Sequence, residues 1–213
     1  MFDFLKPKVL EEAHSKYSGL LKVISGFGYK YISTGPLTQT GGIVKDVWEP
    51  VLKKYGKTRK SWLILGLAGG TIAKIVSERF SPIEIVGVEI DPVMIQLGRK
   101  YLDLDKIAHL KVEVTDAKQY VHNLSLKPTP KSGSHFDYIL VDMYLGDQLP
   151  SFVYDPKFLQ KLKSSGSIVI FNHLFYDAPK KTLAHSLIEQ LKTVFSDIQL
   201  SRQLTNLLIV CKA

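Results

Sequence analysis

The 213-residue sequence is poor in cysteine and has no long apolar run. Its single cysteine, Cys211, excludes an internal disulfide and a cysteine-rich metal site, and its place in the run LLIVC predicts a buried thiol. No run approaches the roughly 18 apolar residues that a membrane-spanning helix needs. The start MFDFLKPKVLEE lacks the features of a signal peptide. We therefore expect a cytoplasmic protein without a membrane partner or a metal.

Acidic residues are outnumbered, with 20 against 28 basic residues and a net charge of +8. Such a balance can attract nucleic acid or an anionic substrate. The basic residues are scattered, however, and the densest group, residues 53–60, is more typical of a solvated helix end and loop. The sequence also lacks an Asn-Pro-Pro-Tyr motif and a Pro-Cys nucleophile. A nucleic-acid partner is possible but not favoured.

The stretch from residue 61 to 91 predicts a nucleotide-binding β-α-β unit. The apolar run Trp62–Leu65 predicts a strand buried on both faces. A turn with three glycines follows, and glycines there permit positive φ and let a ligand approach the backbone closely. Thr71–Arg79 then predicts a helix, and Ile83–Val88 a second strand.

Glu89 follows that second strand and lies 23 positions after Gly66, the first glycine of the turn. In nucleotide-binding units of this kind, an acidic side chain at about this distance bonds ribose hydroxyls. A carboxylate suits this role because it accepts hydrogen bonds from two neighbouring hydroxyls. A nucleoside-type ligand is therefore predicted, whereas Asp91 is predicted to cap the next helix.

Strands and helices alternate through most of the chain. The further predicted helices are Ile43–Tyr55, Pro92–Leu102, Ala117–Leu124, Pro156–Lys163 and Lys180–Phe195, and the further strands are Leu110–Val114, Phe136–Val141, Ser167–Phe171, Ile198–Arg202 and Asn206–Cys211. This order predicts an α/β fold with a doubly wound, mostly parallel, seven-stranded sheet that ends in an antiparallel hairpin. The Pro- and Gly-containing stretch 125–134 predicts an exposed loop.

The N-terminal part predicts a small extension of the main domain. Residues 1–14 are expected to be a short helical or irregular lead-in, Tyr17–Thr34 a β-hairpin, and residues 35–42 a turn-rich segment. A lone hairpin needs a partner surface, so it either covers the main domain or joins the interface of a homodimer. We divide the chain into residues 1–56, the hairpin and a helix, and residues 57–213, the Rossmann-like domain.

Three motifs together resemble the class I S-adenosylmethionine (AdoMet) binding fold, and in particular its spermidine-synthase-like branch. They are GLAGGT, VGVEIDPVMIQLGRKYL and a fourth strand that ends in VD. The segment YSGLLKVISG…GPLTQTG is similar to the small N-terminal β-domain of that branch, so the resemblance covers nearly the whole chain. It implies a Rossmann-like methyltransferase fold and AdoMet, or decarboxylated AdoMet, as the cofactor.

The resemblance also implies roles for single residues. The cofactor-binding residues would be Gln39, Gly66, Ala68, Gly69, Gly70, Glu89, Ile90, Asp116, Ala117 and Asp142. Asp116 matches the acid near the adenine amine, but it can equally cap the helix after it. Asp142 matches the position of the catalytic aspartate, with a turn-forming role as the alternative. Either Asp142 or Asp147 could take the proton from an amine.

Other polar residues near the strand ends have simpler interpretations. Tyr144 and Tyr154 are expected to be packing aromatics rather than acceptor contacts. His173 is a candidate base at the end of a strand, although a lone loop histidine is more often solvated or hydrogen-bonded.

The sequence departs from the aminopropyltransferase pattern at the acceptor side. The loop DMYLGDQLP replaces a DSSDP-GPA type loop, and no acid follows Gln39 until Asp46. Two buried ammonium groups need carboxylate partners, so a diamine pocket is not supported. Methyl transfer to an unidentified small-molecule acceptor, for example an amine, is therefore favoured over aminopropyl transfer in spermidine synthesis.

More remote alternatives are an NAD-binding oxidoreductase and a non-catalytic nucleotide-binding module. The turn G-L-A-G-G-T differs from the G-x-G-x-x-G of dinucleotide-binding folds, which disfavours the oxidoreductase.

Overall fold

The computed structural model describes residues 7–124 and 135–213, which form two sheets and the helices packed on them. The smaller sheet is antiparallel and contains β1 Lys8–Ser15, β2 Gly19–Gly26, β3 Tyr29–Thr34 and β4 Leu37–Gly41 in that order. The loop predicted for residues 125–134 lies outside the described residues. In the described part of the chain, no helix is both long and apolar enough to cross a membrane.

The N-terminal extension is a four-stranded sheet rather than a hairpin alone. The expected hairpin is present as β2 and β3, but two predictions around it were wrong. Residues 8–15 are β1, not a helical or irregular lead-in, and residues 37–41 are β4, not a turn. Their polar sequences carry little strand signal of their own, and both strands are specified by pairing with β2 and β3.

The larger sheet has seven strands in the order β10-β11-β9-β8-β5-β6-β7. Its strands are β5 Ser61–Leu65, β6 Glu84–Glu89, β7 Leu110–Val114, β8 Phe136–Val141, β9 Gly166–Leu174, β10 Asp197–Gln203 and β11 Asn206–Lys212. The five neighbouring strands β7, β6, β5, β8 and β9 are parallel. Strand β11 pairs antiparallel with both β9 and β10. The predicted sheet with a closing antiparallel hairpin is confirmed.

Helices cover both faces of the larger sheet. They are α1 Ile43–Tyr55, α2 Thr71–Phe80, α3 Pro92–Tyr101, α4 Ala117–His122, α5 Pro156–Ser165 and α6 Ala178–Val194. Successive residues of a strand point to opposite faces. Accordingly, Leu63 and Leu65 of β5 pack with α4, α5 and α6, whereas Trp62 and Ile64 pack with α1 and α2. All five residues of β5 are buried, including the four of the predicted apolar run Trp62–Leu65.

Two predictions in the C-terminal half need correction. Strand β9 continues to Leu174, so Asn172 and His173 lie within the strand rather than after it. The extension exists because β11 pairs along the whole of β9, with Leu208 opposite Asn172. The spacing of Leu183, Leu187, Leu191 and Val194 predicts one buried face of the last helix, but Leu183 is exposed while the other three are buried. Cys211 is a buried free thiol, as predicted.

The division of the chain at residue 56 stays a prediction. Helix α1 lies on the N-terminal side of that division, yet Val47, Trp48, Val51 and Leu52 belong to the core on one face of the larger sheet. The small sheet packs separately, through Leu21, Val23 and Ile32, against helix α3. In packing terms, α1 is therefore part of the larger unit.

Gly66 brings two chain segments into close contact at the carboxyl ends of the parallel strands. Its φ is +90°, and a Cβ at this position would overlap the backbone carbonyl oxygen of Asp142. The same junction is held by the Asp142 N–H, which donates to the Leu65 carbonyl oxygen at 2.8 Å. A side chain at residue 66 would push the turn after β5 away from the segment after β8.

We therefore expect Gly66→Ala to lower the free energy of unfolding by about 2–4 kcal/mol, from backbone strain and steric overlap together. The matched control is Gly28→Ala, because Gly28 also has a positive φ, +83°, but a Cβ added there would meet nothing within 4 Å. That control should cost only about 1 kcal/mol, from backbone strain. Urea denaturation of both variants measures the difference, and equal losses would contradict the steric explanation.

Candidate active site

A cavity of about 380 Å³ lies at the carboxyl ends of β5, β6 and β8, under the turn between β3 and β4 and the start of α1. Ligands of open α/β sheets bind at this edge. Eight of the residues predicted to bind the cofactor line the cavity: Gln39, Gly66, Ala68, Glu89, Ile90, Asp116, Ala117 and Asp142. The fold therefore brings together residues from most of the chain.

Gly69 and Gly70 do not line this cavity, although they belong to the same turn. A Cβ at Gly69 would lie 2.6 Å from the Leu102 side chain, and one at Gly70 would overlap that of Leu104. Packing therefore explains why both positions are glycine. They let the start of α2 approach the end of α3 and the short 3₁₀ turn that follows it. Their cofactor-binding role stays a prediction.

Glu89, at the end of β6, is bonded to the backbone of the turn that faces it. Its Oε2 accepts the Ala68 N–H at 2.8 Å, and its Oε1 accepts the Asp91 N–H at 2.9 Å. Burial raises the pKa of this carboxyl, and the two backbone donors oppose that effect. Each carboxylate oxygen can accept a further hydrogen bond. Glu89 can therefore bind two hydroxyl groups while it holds the turn in place.

Asp91 and Asp116 are helix caps, and they differ in their access to the cavity. Asp91 is buried, and its Oδ1 accepts the Val93 N–H at 2.9 Å. Its Oδ2 accepts the Ser18 hydroxyl at 2.7 Å, which fastens the small sheet to α3. The Oδ1 of Asp116 accepts the Gln119 N–H at 2.9 Å, but Asp116 also lines the cavity. Capping and ligand contact are compatible for Asp116.

Asp142 follows β8, and each of its carboxylate oxygens accepts a hydrogen bond from a distant element. The indole N–H of Trp48, on α1, donates to Oδ2 at 3.0 Å. The side-chain amide of Asn172, on β9, donates to Oδ1 at 2.7 Å. The carboxylate thus has a fixed orientation at the cavity wall, and its remaining acceptor positions are available to a ligand.

Removal from bulk water is the main influence on the Asp142 carboxyl and raises its pKa to about 6, while the bonds from Asn172 and Trp48 counteract the rise. Burial and the nearby Asp142 charge raise the pKa of Tyr144 well above its usual value. The Tyr144 phenol stays protonated and donates to the backbone carbonyl of Asn172 at 2.8 Å. At neutral pH the ionised Asp142 carboxylate therefore lies beside a neutral phenol.

Asp147 lies in a second cavity, of about 650 Å³, that shares Tyr144 with the first. Its Oδ2 is paired with the buried Lys180 ammonium at 2.6 Å, and this hydrogen bond lowers the pKa of Asp147. A low pKa and an ion pair both make Asp147 a weak base. Its catalytic role stays an untested prediction, which the geometry does not favour.

His173 and Tyr154 form a pair in the second cavity rather than in the first. His173 Nδ1 is 2.7 Å from the Leu174 carbonyl, which only accepts, so Nδ1 carries the proton. Nε2, 3.0 Å from the Tyr154 hydroxyl, is then the acceptor. Burial lowers the pKa of His173, in keeping with a neutral imidazole. In the described residues, no group of three or more His, Cys, Asp or Glu side chains is placed to hold a metal.

Several residues of the cavity are missed by the sequence interpretation. The sequence places Trp48 only on the apolar face of the predicted helix Ile43–Tyr55, and Asn206 only at the start of the last predicted strand. Both line the cavity, as do Asn172 and Thr205. Asn172 carries a usable signal, because it follows the apolar core of a parallel strand, where ligands are bound. For Trp48 and Asn206, the neighbouring sequence contains no signal that predicts a place in the cavity.

Sequence comparison relates the chain to two kinds of transferase. No protein-family profile matches it. It is 32% identical over 111 residues to a polyamine aminopropyltransferase of Vibrio vulnificus, covering 50% of this chain and 36% of that protein. It is 30% identical over 149 residues to the mouse eEF1A lysine and N-terminal methyltransferase, covering 65% of this chain and 20% of that protein. The chain thus spans only about a third and a fifth of these relatives.

Solved structures show the same two kinds of neighbour. Human methyltransferase-like protein 13, in complex with SAH, superimposes with a TM-score of 0.60 and 25% identity over 79% of this chain and 78% of that chain. A probable spermidine synthase from Corynebacterium glutamicum superimposes with a TM-score of 0.74 and 15% identity over 96% of this chain and 80% of that chain. The second match spans the small N-terminal sheet as well as the larger one.

The Trp48–Asp142 hydrogen bond gives a direct test of the electrostatics. As the pH rises through about 6, Asp142 loses its proton, and the Trp48 indole N–H then donates to a full carboxylate. We expect the Trp48 indole resonance in ¹H–¹⁵N spectra to titrate with a midpoint near pH 6, and Trp48→Phe to identify the resonance. Trp62, whose indole nitrogen has no hydrogen-bond partner among the described residues, is the internal control. A midpoint near the ordinary aspartate value would contradict the buried-base interpretation.

Proposed function

Since the chain has the class I fold that AdoMet-dependent methyltransferases and spermidine synthases share, we propose that it is an AdoMet-dependent methyltransferase acting on an amine. The observation that carries the proposal is the pairing, in one cavity, of Glu89, suited to ribose hydroxyls, with Asp142, a buried carboxylate of raised pKa. The first fits nucleoside binding, and the second fits proton removal from an acceptor.

The residues of the cavity fit AdoMet. The cavity volume of about 380 Å³ lies within the usual range of small-molecule sites, about 300–1,000 Å³. Glu89 would accept the ribose hydroxyls, and Asp116 and Ala117 would meet the adenine. Gly66, Ala68 and Gln39 would hold the methionine part, since Gly66 has no side chain to block the approach. When bound, AdoMet supplies a methyl carbon that its sulfonium makes electrophilic.

Charge in the cavity favours an acceptor with one amine over a diamine. Among the described lining residues, the only acids are Glu89, Asp116 and Asp142. With Glu89 and Asp116 assigned to the nucleoside, Asp142 alone remains for the acceptor. A second ammonium group would be buried without a carboxylate, which is costly. This balance supports methyl transfer to a monoamine.

In this proposal Asp142 is the proton acceptor. At neutral pH it is ionised, because its pKa is about 6, and it can remove the proton that an attacking amine must lose. Trp48 and Asn172 hold its two oxygens, so the lone pairs that remain are directed rather than free to rotate. General-base catalysis of this kind contributes roughly 10²–10⁴ in rate.

Two classes of acceptor fit these requirements. A small-molecule amine is the acceptor that we propose first. The name of the mouse relative, a lysine and N-terminal methyltransferase, supports an amine on a protein as the second. Aminopropyl transfer from decarboxylated AdoMet is the alternative reaction, and the Vibrio relative supports it. A homodimer and a cytoplasmic location stay predictions.

Cofactor binding is tested by calorimetric titration with AdoMet, decarboxylated AdoMet and NAD in parallel. We expect AdoMet to bind most tightly. Glu89→Gln should weaken AdoMet binding by about tenfold or more, because an amide replaces a charged acceptor of hydroxyl groups. Glu78→Gln, at an exposed residue of α2, is the matched control and should bind normally. Preference for decarboxylated AdoMet would support aminopropyl transfer instead, and binding of NAD alone would refute both transferase proposals.

Turnover is tested with AdoMet and a panel of amines: butylamine, N-acetyl-lysine methylamide and 1,4-diaminobutane. Asp142→Asn should lower the rate by about 100-fold or more while AdoMet affinity is retained. In the wild-type protein, kcat/KM should fall about tenfold for each pH unit below 6, because protonation of Asp142 removes the base.

Two further variants make this test specific. Asp46→Asn removes an exposed carboxylate of α1 and serves as the control for a general effect of losing one negative charge. This variant should behave as the wild type. Asp147→Asn separates the two candidate bases. If Asp147→Asn abolished turnover and Asp142→Asn did not, Asp142 would be excluded as the base.

A further inference from the structure

We propose that Asn206, the first residue of β11, is a positioning residue that acts on Asp142 through Asn172 by fixing the direction of a chain of hydrogen bonds. The expected effect of Asn206 on turnover rests on the function proposed above. The effect on the orientation of Asn172 rests only on hydrogen bonds within the protein.

The hydrogen-bond chain runs from the final hairpin to the carboxylate. The Thr205 hydroxyl is 2.9 Å from Asn206 Oδ1, and the Asn206 amide nitrogen donates to Asn172 Oδ1 at 2.8 Å. The Asn172 amide nitrogen then donates to Asp142 Oδ1 at 2.7 Å. All four residues line the same cavity, and both asparagines are buried.

The carboxylate dictates the direction of every bond in the chain. An ionised Asp142 only accepts, so Asn172 must present its NH₂ group and not its oxygen. The Asn172 oxygen then faces Asn206, which must in turn present its own NH₂ group. The Asn206 oxygen is left to accept the Thr205 hydroxyl. Because each amide has one donor end and one acceptor end, turning one of them would require turning the others.

Asn206 opposes a turn of Asn172 alone, because its NH₂ group faces the Asn172 oxygen. If its amide were absent, the Asn172 side chain could rotate so that its oxygen faced Asp142, where it would repel the negative charge. With Asn206 in place, that rotation would set two NH₂ groups against each other. The strand pairing supports the contact, because Asn206 lies opposite Leu174 on β9, two residues from Asn172 and on the same face of the sheet.

The other groups that face Asp142 do not supply this control. Trp48 on α1 donates to the other oxygen, and the Tyr144 phenol is a neutral donor to the Asn172 backbone. Glu89 and Asp116 share the cavity and carry the same sign of charge as Asp142. In the part of the chain that the structure describes, Asn172 is the side chain that donates to Oδ1, and its orientation therefore decides how readily Asp142 ionises.

The test is the titration midpoint of the Trp48 indole resonance, which reports Asp142 without any need for turnover. Asn206→Leu removes the amide but keeps a similar size, and we expect it to raise the midpoint by about one pH unit, since one charge-assisted hydrogen bond is lost or reversed. Asn206→Ser, which keeps a hydroxyl donor, should shift the midpoint less. Thr205→Val should give a smaller shift of the same sign.

Val210→Ala is the structural control. Val210 lies on the same strand and the same sheet face as Asn206, and it is buried, but it takes no part in the chain of hydrogen bonds. This variant should destabilise the hairpin without moving the midpoint. Should Asn206→Leu fail to fold, the Ser and Thr205→Val variants still decide the question.

Unchanged midpoints in the Asn206 and Thr205 variants would overturn the proposal and leave Asn206 with a purely structural role. If the protein turns over amines, the acidic limb of kcat/KM should shift with the midpoint, and AdoMet affinity should stay constant. A shifted midpoint in a protein that transfers no methyl group would refute the proposed function but support the positioning role. A shift of equal size in Val210→Ala would contradict the positioning role.

Discussion

A carboxylate that leaves bulk water needs hydrogen-bond donors from the protein in place of those that water supplied. Asp142 receives them from α1 and from β9, and Asn206 of β11 supports the second of these donors. The need is not fully met, since the pKa of Asp142 is still raised to about 6. This incompletely compensated charge links three separate elements, because α1, β9 and β11 each contribute a side chain to the hydrogen bonds that hold it.

Close packing and hydrogen bonds around the glycine turn set the geometry around that charge. Gly66 lets the turn after β5 lie against the Asp142 backbone, and Glu89 ties the same turn to the end of β6. Asp91 connects α3 to the small sheet through Ser18. The wall of the cavity around Glu89 and the wall around Asp142 therefore share one support, and a disturbance at Gly66 would reach both.

What could be predicted from the sequence was local. The run SWLIL, the glycine turn, α2 and Glu89 follow one another within 29 residues, and periodicity and turn chemistry were enough to order them. Strands β1 and β4 could not be predicted, because their sequences are polar and only their pairing partners define them. The bond from Trp48 depends on how α1 packs on the sheet, and the bond from Asn206 depends on the register of β11 with β9. No short window of sequence contains either.

The position of Asn206 has a consequence for how the protein is made. The hydrogen-bond chain joins a helix near the start of the described residues to a strand near their end. During translation, a nascent chain that ends before residue 206 lacks the amide that donates to the Asn172 side chain. A chain at that stage contains Gly66, Glu89 and Asp142 but not the side chain that orients Asn172. The complete chain of hydrogen bonds can therefore form only after residue 206 has been synthesised.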